Sequence, residues 1–288
     1  MVKPVYEFLL WDNCHNNCQF CFLRQRDSDL NIEQKRKSVD KVLQFLESDQ
    51  FVQGSHVLLM GGEIFDDRSS FSILNNLIDV VVTKMLNYEI DWLYLNTNLI
   101  YKDMTGLYYL LDKIDQHQLF DRLRFTTSYD IVGRFATKKV EQLMLYNIDN
   151  LVKKYPNIQI IANAIMTKQL CDMIVTHKFS VKQFMERYKC GLSLIPYIVL
   201  DDKLTADRKE ILRTLSVVDN EIPGYVKNGI KNFDNDQKKL LYKYDKATDS
   251  LKFCSCDYSD CGHPVNFKRY ATSGTCYACD VKALFDLE

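Results

Sequence analysis

The residues best suited to chemistry in this chain are cysteines, and most of them lie in two clusters. Cys14, Cys18 and Cys21 stand within eight residues in the stretch CHNNCQFC, and five more cysteines lie between 254 and 279. Three thiolates are an odd number for disulfide bonds and one fewer than a closed tetrahedral metal site needs. The spacing C-x3-C-x2-C therefore indicates a metal centre with one coordination position left for a non-protein ligand.

Net charge, apolar runs and cysteine content limit the classes of protein to which this chain can belong. The chain has 288 residues and a net charge of −1, which argues against a large nucleic acid or an anionic membrane as partner. The apolar run at the N-terminus is short and is interrupted by Glu7, and no window approaches the roughly 18 apolar residues of a membrane span. We therefore expect a cytoplasmic protein without a membrane partner. In a reducing compartment, ten cysteines favour metal binding or catalysis over disulfides.

Hydrophobic periodicity predicts six strands that alternate with amphipathic helices. The strands are predicted at 5–11, 56–60, 92–98, 123–129, 158–166 and 192–200. The helices are predicted at 31–49, 70–87, 103–116, 136–154, about 171–188 and 205–218, with Asn31 as a cap of the first.

This order predicts an α/β fold with a parallel sheet and right-handed crossovers. Six units make a partial (β/α)6 TIM-like barrel, and a doubly wound open sheet would give similar signals. Both arrangements place the active site at the carboxyl ends of the strands. The pattern changes after residue 219, so we expect a core domain over 1–219 and a small cysteine-rich C-terminal extension over 220–288.

The first cysteine cluster directly follows the first predicted strand. A [4Fe–4S] cluster has four irons, usually each held by one cysteine, so three cysteines leave one iron without a protein ligand. A zinc site completed by a distant ligand is the alternative that the spacing leaves open.

The stretch CHNNCQFC resembles the signature of the radical S-adenosylmethionine (radical SAM) superfamily, including an aromatic residue, Phe20, before the last cysteine. The resemblance implies that Cys14, Cys18 and Cys21 hold a catalytic [4Fe–4S] cluster whose open iron binds S-adenosyl-L-methionine. In that family the reduced cluster cleaves this cofactor, and the resulting 5′-deoxyadenosyl radical abstracts a hydrogen atom from the substrate. It also implies a reductant such as flavodoxin or ferredoxin.

A second motif lies at the end of the second predicted strand. Gly61, Gly62 and Glu63 resemble the family's Gly-Gly-Glu motif, which contacts the amino group of S-adenosylmethionine. Glycine permits a positive φ and a close approach of the backbone to a ligand. The family usually continues with proline, and here Ile64 follows.

Later strand ends carry further polar residues that resemble cofactor-binding positions of the family. They are Thr97 and Asn98, where Leu99 replaces a frequent glycine, Ser128 and Asp130, and Asn163 within the fifth strand. A polar residue at a core position needs a partner, and a cofactor would supply one. Strand-end caps and satisfied buried amides are the alternatives. Arg134 could meet the cofactor's carboxylate or form a surface ion pair.

The C-terminal cluster offers Cys254, Cys256, Cys261, Cys276 and Cys279, with His263 among them. Their spacing fits an auxiliary iron–sulfur cluster, as many radical SAM enzymes carry, and a zinc site remains the alternative. Cys171 and Cys190 lie apart from both clusters, and we interpret them as small buried hydrophobic residues.

Together these features predict a radical SAM enzyme, and we expect a peptide or protein side chain as its substrate. A nucleotide, a tRNA base or a small metabolite is the alternative substrate. A non-catalytic zinc or iron–sulfur binding module is the alternative from another class.

Overall fold

The computed structural model describes most of the chain up to residue 225 and three short strands beyond it. The described residues are 4–11, 13–16, 18, 21, 31–65, 68–195, 204, 206–225, 243–245, 250–252 and 267–269.

All six predicted strands are present, with their ends shifted by a few residues. They are β1 (Val5–Leu9), β2 (Ser55–Met60), β3 (Ile90–Asn96), β4 (Leu123–Ser128), β5 (Ile160–Ile165) and β6 (Gly191–Ile195). Three further short strands follow: β7 (Lys243–Asp245), β8 (Ser250–Lys252) and β9 (Phe267–Arg269).

Seven α-helices are found in the described part of the chain. They are α1 (Ile32–Leu46), α2 (Arg68–Leu86), α3 (Thr105–Gln116), α4 (Lys138–Lys154), α5 (Lys168–Val175), α6 (Val181–Tyr188) and α7 (Arg208–Glu221). Asn31 caps α1 as predicted, and Gln34 completes a capping box by accepting a hydrogen bond from the Asn31 backbone.

The main sheet has the strand order β6-β5-β4-β3-β2-β1-β9, and β1 to β6 are parallel, each followed by a helix. This confirms the α/β class and the partial (β/α)6 TIM-like barrel. Beyond the six predicted strands, β9 pairs in parallel with β1, with Val5 opposite Phe267. Strands β7 and β8 form a separate antiparallel pair. By its internal contacts the chain divides into two compact units, of which the first contains β1 to β4.

The two faces of the sheet differ in character. Tyr6 and Phe8 of β1 contact Phe45 of α1, and the registered positions Val57 and Leu93 are completely buried. Apolar burial against the helices therefore stabilises this face. Side chains alternate along a strand, so intervening positions lie on the opposite face. We call this opposite face the polar face; it carries Glu7, His56, Trp92, Tyr94, Asn96 and Arg124.

One expected helix was wrong. The stretch around 171–188 forms two helices, α5 and α6, because His177 has a φ of 56° and leaves the helical path. The Ser180 side chain then accepts a hydrogen bond from the Gln183 backbone and begins α6. The strand predicted over 192–200 is described only as far as Ile195.

No helix in the described ranges is long and apolar enough to cross a membrane.

Cys171 and Cys190 are buried free cysteines, which fits their interpretation as packing residues. Burial raises the pKa of the Cys190 thiol to about 12, and burial is also the main cause that raises the pKa of Cys171. Both thiols therefore stay protonated near neutral pH, which suits packing and not metal ligation.

We expect Cys171 and Cys190 to resist iodoacetamide in the folded protein at pH 8, because alkylation requires thiolate. Peptide mass mapping after timed labelling measures this, and urea-unfolded protein, in which both sites react, is the control. Rapid labelling of either cysteine under folding conditions would contradict the assignment.

Candidate active site at the ends of the first strands

The cysteine loop begins directly after β1. All three of its cysteines are free thiols; Cys18 is buried, while Cys14 and Cys21 are half-buried. Asn16 donates two hydrogen bonds to sulfur, from its backbone N to Cys14 Sγ at 3.4 Å and from Nδ2 to Cys18 Sγ at 3.2 Å. Donors directed at sulfur stabilise negative charge, so the loop suits thiolates.

The Gly-Gly-Glu segment after β2 is bound to this loop through the backbone. Gly62 N donates to Trp11 O at 2.7 Å and Glu63 N donates to Asn13 O at 2.8 Å, while Trp11 Nε1 donates to Glu63 O at 3.0 Å. A β-carbon at Gly61 would lie 2.6 Å from Trp11 O and 2.8 Å from Ile64 Cγ2. Glycine is therefore required at 61 for the two segments to approach. Ile64, at the position where the family usually has proline, is buried.

The Glu63 carboxylate is directed into the protein. The residue is only 1% exposed, and the Thr97 hydroxyl lies 2.8 and 2.9 Å from its two oxygens. Asn98 N donates to Oε2 at 2.5 Å, and Phe65 N donates to Oε1 at 3.2 Å. A buried carboxylate is costly unless it is hydrogen-bonded, and these donors meet that need. Glu63 thus joins the end of β2 to the end of β3.

Asn98 then connects β3 to the cysteine loop. Its Nδ2 donates to Cys14 Sγ at 3.4 Å, while its Oδ1 accepts from Ile100 N at 2.7 Å. Leu99 follows with a φ of 56°, the left-handed conformation that favours glycine. Leu99 therefore has a backbone conformation that glycine adopts more easily than leucine.

Two residues that sequence reasoning missed support this turn. Asn147 of α4 is buried, and its Nδ2 donates to Leu99 O and to Tyr101 O, both at 2.9 Å. The Tyr101 hydroxyl lies 3.0 Å from Thr97 Oγ1. An Asn in the middle of a helix gives no local signal of such a role, because its partners lie more than 40 residues earlier in the chain. Trp11 and Asn16 were also missed.

The remaining predicted residues are placed as follows. Ser128 ends β4 and is half-buried. Asp130 is buried, and its Oδ1 accepts from Ile165 N at 2.7 Å, so it fixes the end of β5. The Asn163 backbone carbonyl accepts from Tyr129 N at 2.7 Å, and its side chain is half-buried within β5. Arg134 is half-buried.

Several predicted residues lie outside the described part of the chain. They are Phe20, Cys254, Cys256, Cys261, His263, Cys276 and Cys279. Within the described residues, no three His, Cys, Asp or Glu side chains are arranged to hold a metal ion.

The residues present nevertheless fit an iron–sulfur cluster in their chemistry. Three free thiols follow one strand, and N–H groups of Asn16 and Asn98 point at two of the sulfurs. Hydrogen bonds to sulfur are one of the factors that set the potential of such clusters.

The chain was also compared with known proteins. No protein-family model matches it, and no curated protein matches it in sequence. Among solved structures it is similar to anSMEcpe with bound AdoMet and Cp18Cys peptide, at TM-score 0.50 and 14% identity, over 78% of this chain and 61% of that one. The protein anSMEcpe is a radical SAM enzyme.

The chain has the radical SAM fold. It spans about three fifths of the length of anSMEcpe, 61% of that chain. HydG, a maturase of the [FeFe]-hydrogenase, matches at TM-score 0.43 and 13% identity, over 77% of this chain and 51% of that one. The site described above lies at the carboxyl ends of the first three strands of this fold.

The positive φ of Leu99 gives a testable order of stability. We expect the Leu99→Gly variant to be more stable than Leu99→Ala by about 1 kcal/mol, because glycine relieves the left-handed strain that alanine keeps. Urea unfolding of both variants measures the difference. Tyr146 is an exposed position within α4 and serves as the control. There we expect Tyr146→Ala to be more stable than Tyr146→Gly, as is usual within a helix. If the alanine variant were more stable than the glycine variant at both positions, the backbone at Leu99 would not be strained.

The burial of Glu63 predicts the effect of an isosteric change. Glu63→Gln replaces one carboxylate oxygen, which accepts hydrogen bonds, by an amide N–H₂ group, which can only donate. The groups that donate to Glu63 then lose an acceptor, so we expect the free energy of unfolding to fall by roughly 1–3 kcal/mol. Chemical unfolding of the metal-free protein checks this, and Glu33→Gln on the exposed surface of α1 is the matched control. Equal stability of the Glu63 and Glu33 variants would show that the carboxylate does not join the strands.

Proposed function

We propose that this protein is a radical SAM enzyme whose cluster is held by Cys14, Cys18 and Cys21. The observation that carries the proposal is the hydrogen-bond network joining three strand ends. Asn98 donates through its side chain to Cys14 Sγ and through its backbone to Glu63, and Glu63 donates through its backbone to Asn13. All three motif segments thus belong to one site at the carboxyl ends of β1, β2 and β3.

Each segment has a distinct task in this proposal. The three thiolates bind iron, and a bound, reduced [4Fe–4S] cluster supplies the electron for reductive cleavage of S-adenosylmethionine to a 5′-deoxyadenosyl radical. The backbone carbonyls of Gly61 and Gly62 accept no hydrogen bond from the described residues, and they provide the acceptors for the methionyl ammonium group. Glu63 positions those glycines through its bonds to Thr97 and Asn98.

The substrate we propose is a peptide or protein side chain. The support is that anSMEcpe, which shares the fold, has been solved with AdoMet and a peptide bound. Cys254, Cys256, Cys261, Cys276 and Cys279 hold a second metal site in this proposal, an auxiliary iron–sulfur cluster or zinc. The cluster receives its electron from a small reductant of the flavodoxin or ferredoxin type, and the enzyme is cytoplasmic.

The central variant is Cys18→Ala. In anaerobically reconstituted protein with dithionite and S-adenosylmethionine, we expect wild type to release 5′-deoxyadenosine and the variant to release none. Iron should fall by about four atoms per chain while the metal of the C-terminal cysteines is kept. Liquid chromatography of the nucleoside and metal analysis measure both effects.

Cys190→Ala is the matched control, because it also removes a buried cysteine but lies outside the proposed site. It should keep both iron and product. Wild-type protein that is loaded and reduced yet makes no 5′-deoxyadenosine would contradict the enzyme and favour a binding module. Unchanged product release from Cys18→Ala would contradict the assigned ligands.

A further inference from the structure

Among the described residues of the polar face, Arg124 is a cation that no carboxylate neutralises. Arg124 of β4 is half-buried, and its Nε is buried without a hydrogen-bond partner. Among the described residues no carboxylate forms an ion pair with it. Its guanidinium lies over the Trp92 ring, with Cζ 3.8 Å from the ring centroid. The stacking fixes the plane of the guanidinium and leaves its in-plane N–H donors for another acceptor.

The neighbouring arginine shows what a purely structural role looks like here. Arg122, directly before β4, donates to three backbone carbonyls, those of Asp91, Met85 and Ile90, and so joins the start of β4 to the end of α2 and the start of β3. Arg124 has no such bonds in the described part of the chain. A buried donor without an acceptor lowers the stability of the fold. We therefore expect a bound ligand to supply the acceptor for Arg124.

The strand register gives the separation between Arg124 and the proposed active site. Tyr94 is its registered neighbour on β3, and the Tyr94 hydroxyl lies 3.1 Å from His56 Nδ1. Ser128 ends β4 four residues after Arg124, and Asn98 lies four residues after Tyr94, two residues beyond the end of β3. At about 3.3 Å per residue, that separation is roughly 13 Å between backbone positions. The guanidinium contacts Trp92, which lies two residues nearer the amino end of β3 than Tyr94, so an anion bound there is the end of the substrate farthest from the cysteine loop.

We infer that Arg124, stacked on Trp92, binds an anionic group at the far end of the substrate, whose other end reaches the cysteine loop. This deepens the proposed function and rests on it, because it names a chemical feature of the substrate of that same site. A planar guanidinium recognises a carboxylate or a phosphate through two parallel hydrogen bonds. A carboxylate is the anion that a peptide side chain or terminus offers, and a phosphate is the anion of a nucleotide.

The test uses reconstituted full-length protein and two probes, succinate and pyrophosphate, with neutral succinamide as reference. Isothermal titration measures affinity in wild type, Arg124→Gln, Arg124→Lys and Arg36→Gln. Arg36 is an exposed arginine paired with Glu33. Arg36→Gln therefore removes one positive charge, as Arg124→Gln does, but leaves the polar face unchanged. We expect at least tenfold weaker binding of the preferred anion in Arg124→Gln, an intermediate loss in Arg124→Lys, and wild-type affinity in Arg36→Gln.

Release of 5′-deoxyadenosine without substrate is measured on the same samples. We expect it to be unchanged in all three variants, so failure of the anion site is distinguishable from failure of the proposed function. Preference for succinate supports a carboxylate-bearing substrate, and preference for pyrophosphate supports a phosphate-bearing one. Equal affinity in Arg124→Gln and Arg36→Gln, or no saturable binding of either anion to wild type, would overturn the inference. If Arg124→Gln does not fold, the comparison between Arg124→Lys and Arg36→Gln decides it.

Discussion

The carboxylate of Glu63 is the interaction on which the proposed active site depends. It is buried and accepts hydrogen bonds from both Thr97 and Asn98, so the end of β2 is bound to the end of β3. The same residue holds the cysteine loop through its backbone, at Asn13 and at the Trp11 indole. A buried charge is tolerated only when its hydrogen bonds are satisfied, which requires these segments to keep their relative positions.

The two faces of the sheet carry different kinds of side chain. The face toward the helices buries Val57, Leu93 and Phe125 completely and supplies the apolar burial that stabilises the sheet. The polar face instead keeps hydrogen-bonding and charged groups, among them Tyr94 and Arg124. The residues that stabilise the sheet and those to which we assign recognition in our proposal therefore alternate along the same strands, and a substitution on one face need not disturb the other.

Much of this architecture could be predicted from sequence because its signals are local. Alternating apolar strands and amphipathic helices predicted the six repeats, and the spacing of Cys14, Cys18 and Cys21 predicted the first site residues. Glu63 was expected to pair with an ammonium group, and only the structure revealed its bonds to Thr97 and Asn98. Asn147 and Arg124 were missed for a similar reason. Their significance lies in contacts formed, or not formed, across the fold, which no short sequence pattern encodes.

We propose that the cysteine loop, the Gly-Gly-Glu segment and Asn98 form one site for a cluster and S-adenosylmethionine. Electron paramagnetic resonance of the reduced, reconstituted protein tests it most directly. We expect a [4Fe–4S]⁺ signal whose g-values change when S-adenosylmethionine is added, because in our proposal the cofactor binds the iron that lacks a cysteine. A signal that S-adenosylmethionine leaves unchanged, or one that remains sensitive to it in Cys18→Ala, would contradict this proposal.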